Sequence, residues 1–311
     1  MERFRLAVIG LGCRGRLLTK QVLLEREDTE IAAVCDVYED RIEAVQKDTK
    51  EKDKGDPRGY KDAAELFKAE AENIDAVVIC SSWDKHITHA MMAMEAGVPT
   101  AMEVGGAYSE KELWDLIDCY ERTRTPFMFM ENCCYGRDEL MVLNMVRQGV
   151  FGKVVHCDGG YMHDLRSEVS GGIKNRHYRL DNYLRRNAEN YPTHELGPIA
   201  KILKLNRGNR MLTLNSVASS AHGLEDYLER NKDDYPGVCG RHFAQGDVVT
   251  TIIKCAGGET IRLTLDTTLP RYYSRGFTVH GTRALYTEDN HSIFIDGDEE
   301  IEKADFEWNK Q

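Results

Sequence analysis

Gly10, Gly12 and Gly15 stand at the spacing that lets a chain lay a pyrophosphate against a helix end. They close the apolar run Leu6-Ala7-Val8-Ile9 and open Arg16-Leu17-Leu18-Thr19-Lys20-Gln21-Val22-Leu23, so the segment reads as buried strand, tight turn and helix. The three glycines act separately. Gly10 makes the turn, Gly12 admits phosphate to backbone N–H groups, and Gly15 lets the helix pack on its strand. A second strand, Glu30-Ile31-Ala32-Ala33-Val34-Cys35, ends on Asp36, about 20 residues beyond the last glycine, where a carboxylate takes the ribose hydroxyls of a dinucleotide. The alternative is that Asp36 only caps a helix starting near Asp40. As an unpaired ribose ligand it would also repel a 2′-phosphate, which favours NAD over NADP.

A second chemistry is written in Asn190-Tyr191-Pro192-Thr193-His194-Glu195-Leu196-Gly197-Pro198. A histidine held between a Pro-restricted turn and a helix expected over residues 195–204 is well placed for proton transfer, or for capping that helix. Ahead of it come Arg176-His177-Tyr178-Arg179 and Tyr183-Leu184-Arg185-Arg186, basic and aromatic in an acidic chain. Aromatic faces and fixed donors suit sugars, although a solvated charged loop has the same composition. Tyr161 with His163 and Asp164, and the run Thr267-Thr268-Leu269-Pro270-Arg271-Tyr272-Tyr273-Ser274-Arg275-Gly276, are further site-like stretches. His156, Asp158, His163 and Asp164 alternate across a strand and no thiolate pair has finger spacing, so no metal site is expected. Cys133-Cys134 lies near the expected cofactor crevice, but nothing local marks either as a nucleophile.

The elements that must position these groups alternate strand and helix through the first third. Helices are expected over 40–50, 62–70, 85–96 and 109–123, the last with Ser109 and Glu112 as a capping box, and strands over 76–80, 100–102 and 127–130. That is a parallel sheet with crossover helices, and its ligands collect where Ser81-Ser82-Trp83, Glu103-Val104-Gly105 and Glu131-Asn132 leave the carboxyl ends of the strands. After a helix at 138–148 the pattern turns to strands at 154–161, 212–221, 248–255, 260–267 and 277–279. The expected fold is therefore α/β: a Rossmann dinucleotide-binding domain over 1–134, then an α+β domain over 135–311 on a mainly antiparallel, open-faced sheet. An open face is a reason to expect a homo-oligomer, dimer or tetramer.

With 311 residues the chain is long enough for two domains, and its net charge of −11 argues against nucleic acid and anionic membrane surfaces as partners. No apolar run approaches a membrane span, and Met1-Glu2-Arg3-Phe4-Arg5 enters the first strand with no room for a signal peptide. Nine cysteines, several inside apolar strands, read as reduced thiols. The cytoplasm is the expected compartment.

The glycine turn, Asp36, the turn Ser81-Ser82-Trp83-Asp84-Lys85-His86 and the strand ending in Glu103 resemble the glucose–fructose oxidoreductase, inositol dehydrogenase and MocA group of NAD(P) enzymes over essentially the whole chain. That group usually has Glu-Lys-Pro where this sequence has Glu103-Val104-Gly105, and an aspartate where it has Asn190. Both departures are shared with the family 109 glycoside hydrolases, which the sequence resembles further through Asn132, Tyr191-Pro192-Thr193-His194 and Pro270-Arg271-Tyr272-Tyr273-Ser274-Arg275. The resemblance implies glycoside cleavage, typically of α-N-acetylgalactosaminides, by a redox-neutral route with retained NAD: oxidation at C3, loss of the C2 proton and the C1 substituent, addition of water, and re-reduction. It implies cofactor contacts at Gly10, Gly12, Arg14, Gly15, Asp36, Trp83, His86, Glu103, Val104 and Asn132, and substrate contacts at Tyr161, Arg179, Tyr191, Thr193, His194 and Tyr273. His194, Tyr191 and Tyr135 are the candidates for proton transfer. Members of the branch usually continue past the position of Trp308-Asn309-Lys310-Gln311. The alternatives are an NAD-dependent sugar or polyol dehydrogenase, despite Val104, and a non-catalytic NAD-binding protein.

Overall fold

The computed structural model describes residues 3–297, so Trp308 to Gln311 lie outside the described residues. The chain divides into two compact units, Met1–Met130 and Glu131–Gln311, where the sequence reading placed the division after residue 134. Glu131 goes with the second unit because its carboxylate is bonded there, to the Cys133 N–H and to His194.

In the first unit β1 (Phe4–Ile9), β2 (Thr29–Cys35), β3 (Arg58–Tyr60), β4 (Ala76–Ile79), β5 (Thr100–Met102) and β6 (Phe127–Phe129) form one parallel sheet in the order β3-β2-β1-β4-β5-β6. Both faces are covered, which is why β1 reads as an unbroken apolar run. Ala7 and Ile9 enter a core with Leu66, Phe67 and Val77, while Leu6 and Val8 enter another with Leu24, Ile31 and Val45. The crossovers are α1 (Cys13–Leu18), which runs on as a π-turn, then α2 (Glu39–Glu51), α3 (Ala63–Glu70), α4 (Trp83–Glu95) and α5 (Glu110–Thr123). The Ser109–Glu112 capping box is present. Helix α4 begins at Trp83, ahead of the expected Lys85, and so carries both Trp83 and His86 in its first turns. Strand β3 has no apolar run to announce it.

This strand order sets β1 beside β4 and makes the glycines obligatory. At Gly10, where φ is +87°, a Cβ would come within 2.3 Å of the Ser81 nitrogen, and at Gly15 within 1.9 Å of the Gly10 carbonyl oxygen. At Gly12 the nearest atom is Arg41 Nη1 at 3.5 Å, leaving an open approach to the turn.

The second unit begins with α6 (Arg137–Arg147) and β7 (Val154–Met162), continues through α7 (Arg166–Ser170), α8 (Gly172–Asn175), α9 (Arg179–Arg185), α10 (Thr193–Ile202), β8 (Met211–Ala218) and α11 (Gly223–Arg230), and closes with β9 (Val248–Cys255), β10 (Thr260–Asp266), β11 (Thr278–Gly281), β12 (Ala284–Thr287) and β13 (Ser292–Ile295). The sheet runs β13-β12-β11-β7-β10-β9-β8 and is antiparallel except for the β7–β10 pair. Val142, Leu143, Ile199 and Ile202 of α6 and α10 pack on Cys157, Ile253, Ile261 and Val279 of the sheet. Short β12 and β13 escaped the sequence reading, since four-residue strands carry too little periodicity. Helix α10 starts at Thr193 instead of Glu195, so His194 lies inside its first turn. Pro198, within the helix, has no N–H to return to the His194 carbonyl.

Candidate functional site

In the first unit the glycine turn fits a diphosphate. No side chain caps Gly12 at the start of α1, and a Cβ on Gly12 would meet only the Arg41 guanidinium within 4 Å. Asp36 is buried at the end of β2 and braces two neighbouring turns. Its Oδ2 accepts the Leu11 N–H at 2.8 Å, and Oδ1 accepts the Tyr38 N–H at 3.0 Å ahead of α2. It is not unpaired as expected, because Arg41 Nη1 lies 3.6 Å from Oδ2. The guanidinium, stacked 4.7 Å over the Tyr38 ring, offsets the charge that was to repel a 2′-phosphate. The expected repulsion of a 2′-phosphate is weakened accordingly, and what Asp36 retains is its capacity as a hydrogen-bond acceptor.

The two neighbouring strand exits are locked together. Arg14 donates from Nε to Glu103 Oε1 at 2.8 Å, and Glu103 Oε2 accepts the Val104 N–H. His86 contacts the Ser81 carbonyl at 2.8 Å through Nε2 and the Gly105 carbonyl at 3.4 Å through Nδ1, and burial pushes its pKa down. Cβ atoms on Gly105 and Gly106, both at positive φ, would strike Trp83 and His86. Trp83, His86, Glu103 and Val104 are all buried, so the apolar side chain at 104 belongs to the wall of this turn.

In the second unit Glu131 Oε1 accepts a hydrogen bond of 2.8 Å from His194 Nδ1 across 63 residues of sequence. Burial pushes the Glu131 carboxyl up, but the hydrogen bond and charge of His194, with the Cys133 N–H, bring it below its usual value. With Nδ1–H committed to Glu131, the neutral ring has its lone pair on Nε2 and can take up a proton there, which then faces the Glu131 charge. Tyr191 meets His194 edge-on at 4.8 Å, and Tyr161 packs 4.2 Å from Tyr191 and 5.6 Å from His194 between ring centroids. Tyr273 flanks His163 and Tyr161 at 5.2 and 6.4 Å, and the Tyr161 hydroxyl lies 3.1 Å from His163 Nδ1. Arg179, buried, sits 5.7 Å over the Tyr191 ring with Nη1 3.2 Å from Glu168. Thr193 precedes His194 in the same turn. These residues, scattered over more than a hundred positions, form one aromatic and charged cluster.

Tyr135 stands apart from it. Its exposed ring contacts Lys201 at 4.2 Å, two turns along α10 from His194. Asn132 is exposed at the start of the short helix Asn132–Tyr135. Asn190, where the related dehydrogenases have an aspartate, donates to Gln245 Oε1 at 3.0 Å and is a structural tie. Glu131, Cys133 and His194 place ligand-type atoms within 4.8 Å of one another, and burial pushes the Cys133 thiol up to about 12.

With this geometry in place, the sequence comparisons decide the family. The profile of the oxidoreductase family, NAD-binding Rossmann fold, matches residues 4–124, and that of the glycosyl hydrolase 109 C-terminal domain matches residues 135–311. The chain belongs to glycosyl hydrolase family 109. It is similar to a family 109 protein of Stenotrophomonas maltophilia, at 37% identity over 95% of this chain and 70% of that one. An alpha-N-acetylgalactosaminidase of Bacteroides fragilis is 39% identical over 90% of this chain and 67% of that one. Among solved structures, myo-inositol 2-dehydrogenase of Lactobacillus plantarum superposes with a TM-score of 0.72 at 15% identity, covering 93% of this chain and 77% of that one. Scyllo-inositol dehydrogenase of Lactobacillus casei with bound NAD(H) and scyllo-inositol gives 0.69 at 12% identity, covering 95% and 82%. At these identities the dehydrogenases share the fold with this family 109 chain.

The sequence reading missed Glu131 as the partner of His194. It stood only as a strand exit, and nothing local shows that it reaches α10. It also missed Glu189, beside Tyr191, whose carboxyl is pushed up to about 7 by burial while its Oε2 has no hydrogen-bond partner. Because the folded state holds this proton after the unfolded chain has released it, stability falls as pH rises from about 4.5 to about 7. Glu189→Gln removes the penalty: we expect urea unfolding at pH 8 to show a gain of about 2 kcal/mol that vanishes near pH 4, and an equal effect at both pH values would contradict this. Asp36→Ala should weaken NAD about tenfold or more in a fluorescence titration; unchanged affinity would remove Asp36 from the cofactor site.

Proposed function

We propose that this chain is an NAD-dependent glycosidase that cleaves α-N-acetylgalactosaminides by transient oxidation of the sugar at C3. The observation that carries the reading is the buried Glu131 carboxylate bonded to the half-buried His194 inside the tyrosine cluster, in a family 109 chain whose residue 104 is a valine and supplies no ammonium group. A carboxylate pair flanking the glycosidic bond is not required for this route. Gly10, Gly12, Arg14, Gly15, Asp36, Trp83, His86, Glu103 and Val104 are the proposed cofactor residues of the first unit, and Asn132 that of the second.

When bound by those residues, NAD would supply reversible hydride chemistry at C3, so turnover would leave no net NADH. His194 Nε2 takes the proton of the C3 hydroxyl, and Glu131 stabilises the imidazolium without itself being protonated. A ketone at C3 acidifies the C2 proton, and Tyr191, edge-on to His194, is our candidate to remove it as its phenolate and to hold that proton as the phenol until C2 takes it back. The C2–H electron pair becomes the C1–C2 double bond as the bond from C1 to the aglycone oxygen breaks, and the departing oxygen carries the bonding pair and takes a proton from solvent, which the water that later adds at C1 restores. Water then adds at C1, C2 regains a proton, and His194 returns its proton to the oxygen at C3. Tyr161, Tyr191 and Tyr273 offer faces to the sugar's CH groups, and Arg179 and Thr193 offer donors to its hydroxyls and acetamido group. Tyr135 is given no step.

We further propose a homo-oligomer built on the open sheet, because edge strand β8 is exposed along its whole length with Leu212, Leu214 and Val217 in solvent. All nine cysteines are free, which fits the cytoplasm. No helix among the described residues is long and apolar enough to cross a membrane.

The test is release of nitrophenol from nitrophenyl α-N-acetylgalactosaminide by protein carrying its bound NAD. We expect turnover without NADH accumulation, and a fall of about 10²- to 10⁴-fold in kcat in His194→Ala at unchanged NAD content. Stoichiometric NADH with an unmodified sugar would establish a dehydrogenase instead, and NAD binding with no turnover on any sugar would establish a non-catalytic protein.

A further inference from the structure

Arg275 closes the run Pro270–Arg275 two residues after Tyr273, on whose phenol its charge acts, with its side chain 16% exposed, and no step of the reaction uses it. Its guanidinium is shared among three carboxylates from three different places in the second unit. Nη1 pairs with Glu139 on α6, Nε lies 3.4 Å from Glu195 on α10, and Nη2 lies 3.3 Å from Glu288 just after β12. Its charge also acts on the thiol of Cys133, in the short helix that Glu131 caps, against the upward push of burial. Glu288 in turn accepts the backbone N–H groups of Arg275 and Phe277. On the other side, Ser274 pairs with Met162 at the end of β7 and donates to Asp289 at 2.6 Å. The segment carrying Tyr273 is thus fastened at the next two residues, and its fastenings reach the elements that carry Glu131 and His194.

We propose that Arg275 is a positioning residue that ties the segments bearing Glu131, His194 and Tyr273 into one rigid set. The inference rests on the assignment of those three residues to the site made above. The physical need is plain: Glu131 sits at one helix start, His194 at another and Tyr273 on an irregular loop, and a displacement of about 1 Å between them is costly to a proton transfer. A guanidinium, with five donors in a fixed plane, can hold several acceptors in a set geometry, whereas an ammonium is a point charge on a flexible stem. Three ionised carboxylates around one cation would leave an excess of negative charge. Glu195, fully buried and with neither oxygen hydrogen-bonded, has its carboxyl pushed well up by burial against the pull of Arg275, the direction that relieves this excess.

The test uses the full chain with its bound NAD and compares Arg275→Lys and Arg275→Met with the wild type, on protein whose melting temperature lies well above the assay temperature. We expect kcat on the nitrophenyl glycoside to fall at least tenfold in Arg275→Lys and further in Arg275→Met, with NAD content unchanged. Loss of the guanidinium also leaves Glu131, Glu139, Glu195 and Glu288 less compensated around His194 and Cys133, with Arg179 and the phenols of Tyr161 and Tyr191 on its other side in either protein. The acid limb of the pH profile should therefore move upward in Arg275→Met. A residue that merely stabilised the fold would lower the melting temperature and leave kcat, KM and that limb unchanged in folded protein, and this result in Arg275→Lys would overturn the proposal. Should Arg275→Met fail to fold, Arg275→Lys decides alone. Should the wild type turn over no glycoside, the functional reading fails separately. The clamp is then read from the His194 ring resonance in proton NMR, identified by its loss in His194→Asn: a displaced or split resonance in folded Arg275→Lys, which keeps the charge but not the planar fork, supports it, and an unchanged one overturns it.

Discussion

A buried carboxylate must find donors, and the bond from His194 Nδ1 to Glu131 meets that requirement while fixing what the histidine can do. Removing either partner would strand a polar group that is nearly inaccessible to water, which is the costly half of the hydrogen-bond asymmetry. The same bond selects the tautomer, orients the ring and gives the imidazolium a counter-charge. Around this pair the second unit reads as a supporting shell. Helix α10 brings His194 and Thr193, β7 brings Tyr161, the Gln245–Asn190 tie fixes the approach to Tyr191, and the Arg275 network holds the loop of Tyr273.

The first unit is organised by a different constraint, the lack of room for side chains where β1, β4 and β5 end. Gly10 and Gly15 pack against backbone, and Gly105 and Gly106 run at positive φ against Trp83 and His86. This crowding gives a physical context for the missing lysine. Val104 fills a buried position whose neighbours are held by the Arg14–Glu103 pair and by His86. Proton transfer is then left to a group outside that turn, in keeping with the role given to His194.

Much of this could be read directly from the residues because the relevant signals are local. The glycine turn, the apolar run of β1, the Ser109–Glu112 box and the alternation of β9 each lie within a few residues, and each element was found. Edge and hairpin strands β3, β12 and β13 escaped because three or four residues cannot express a period. The start of α10 was misplaced by two residues because Pro192 and Pro198 obscured where the helix enters. Asp36 was rightly found at its strand end, but its neighbour Arg41 was overlooked because only the folded start of α2 brings it there. Glu131 and Arg275 were illegible as site residues for the same reason. Their partners lie 63 residues or more away in most cases, and a charged side chain beside a strand or in a loop usually faces solvent.

The central claim is that Glu131 makes His194 a competent base, and the most direct measurement is the steady-state kcat of Glu131→Gln with a nitrophenyl α-N-acetylgalactosaminide. The glutamine keeps the size and one acceptor of the side chain but removes the charge that stabilises the imidazolium. The account predicts a loss of about 10²-fold or more at near-normal KM and NAD content, approaching that of a chain without the imidazole. A folded Glu131→Gln protein turning over at the wild-type rate would contradict it.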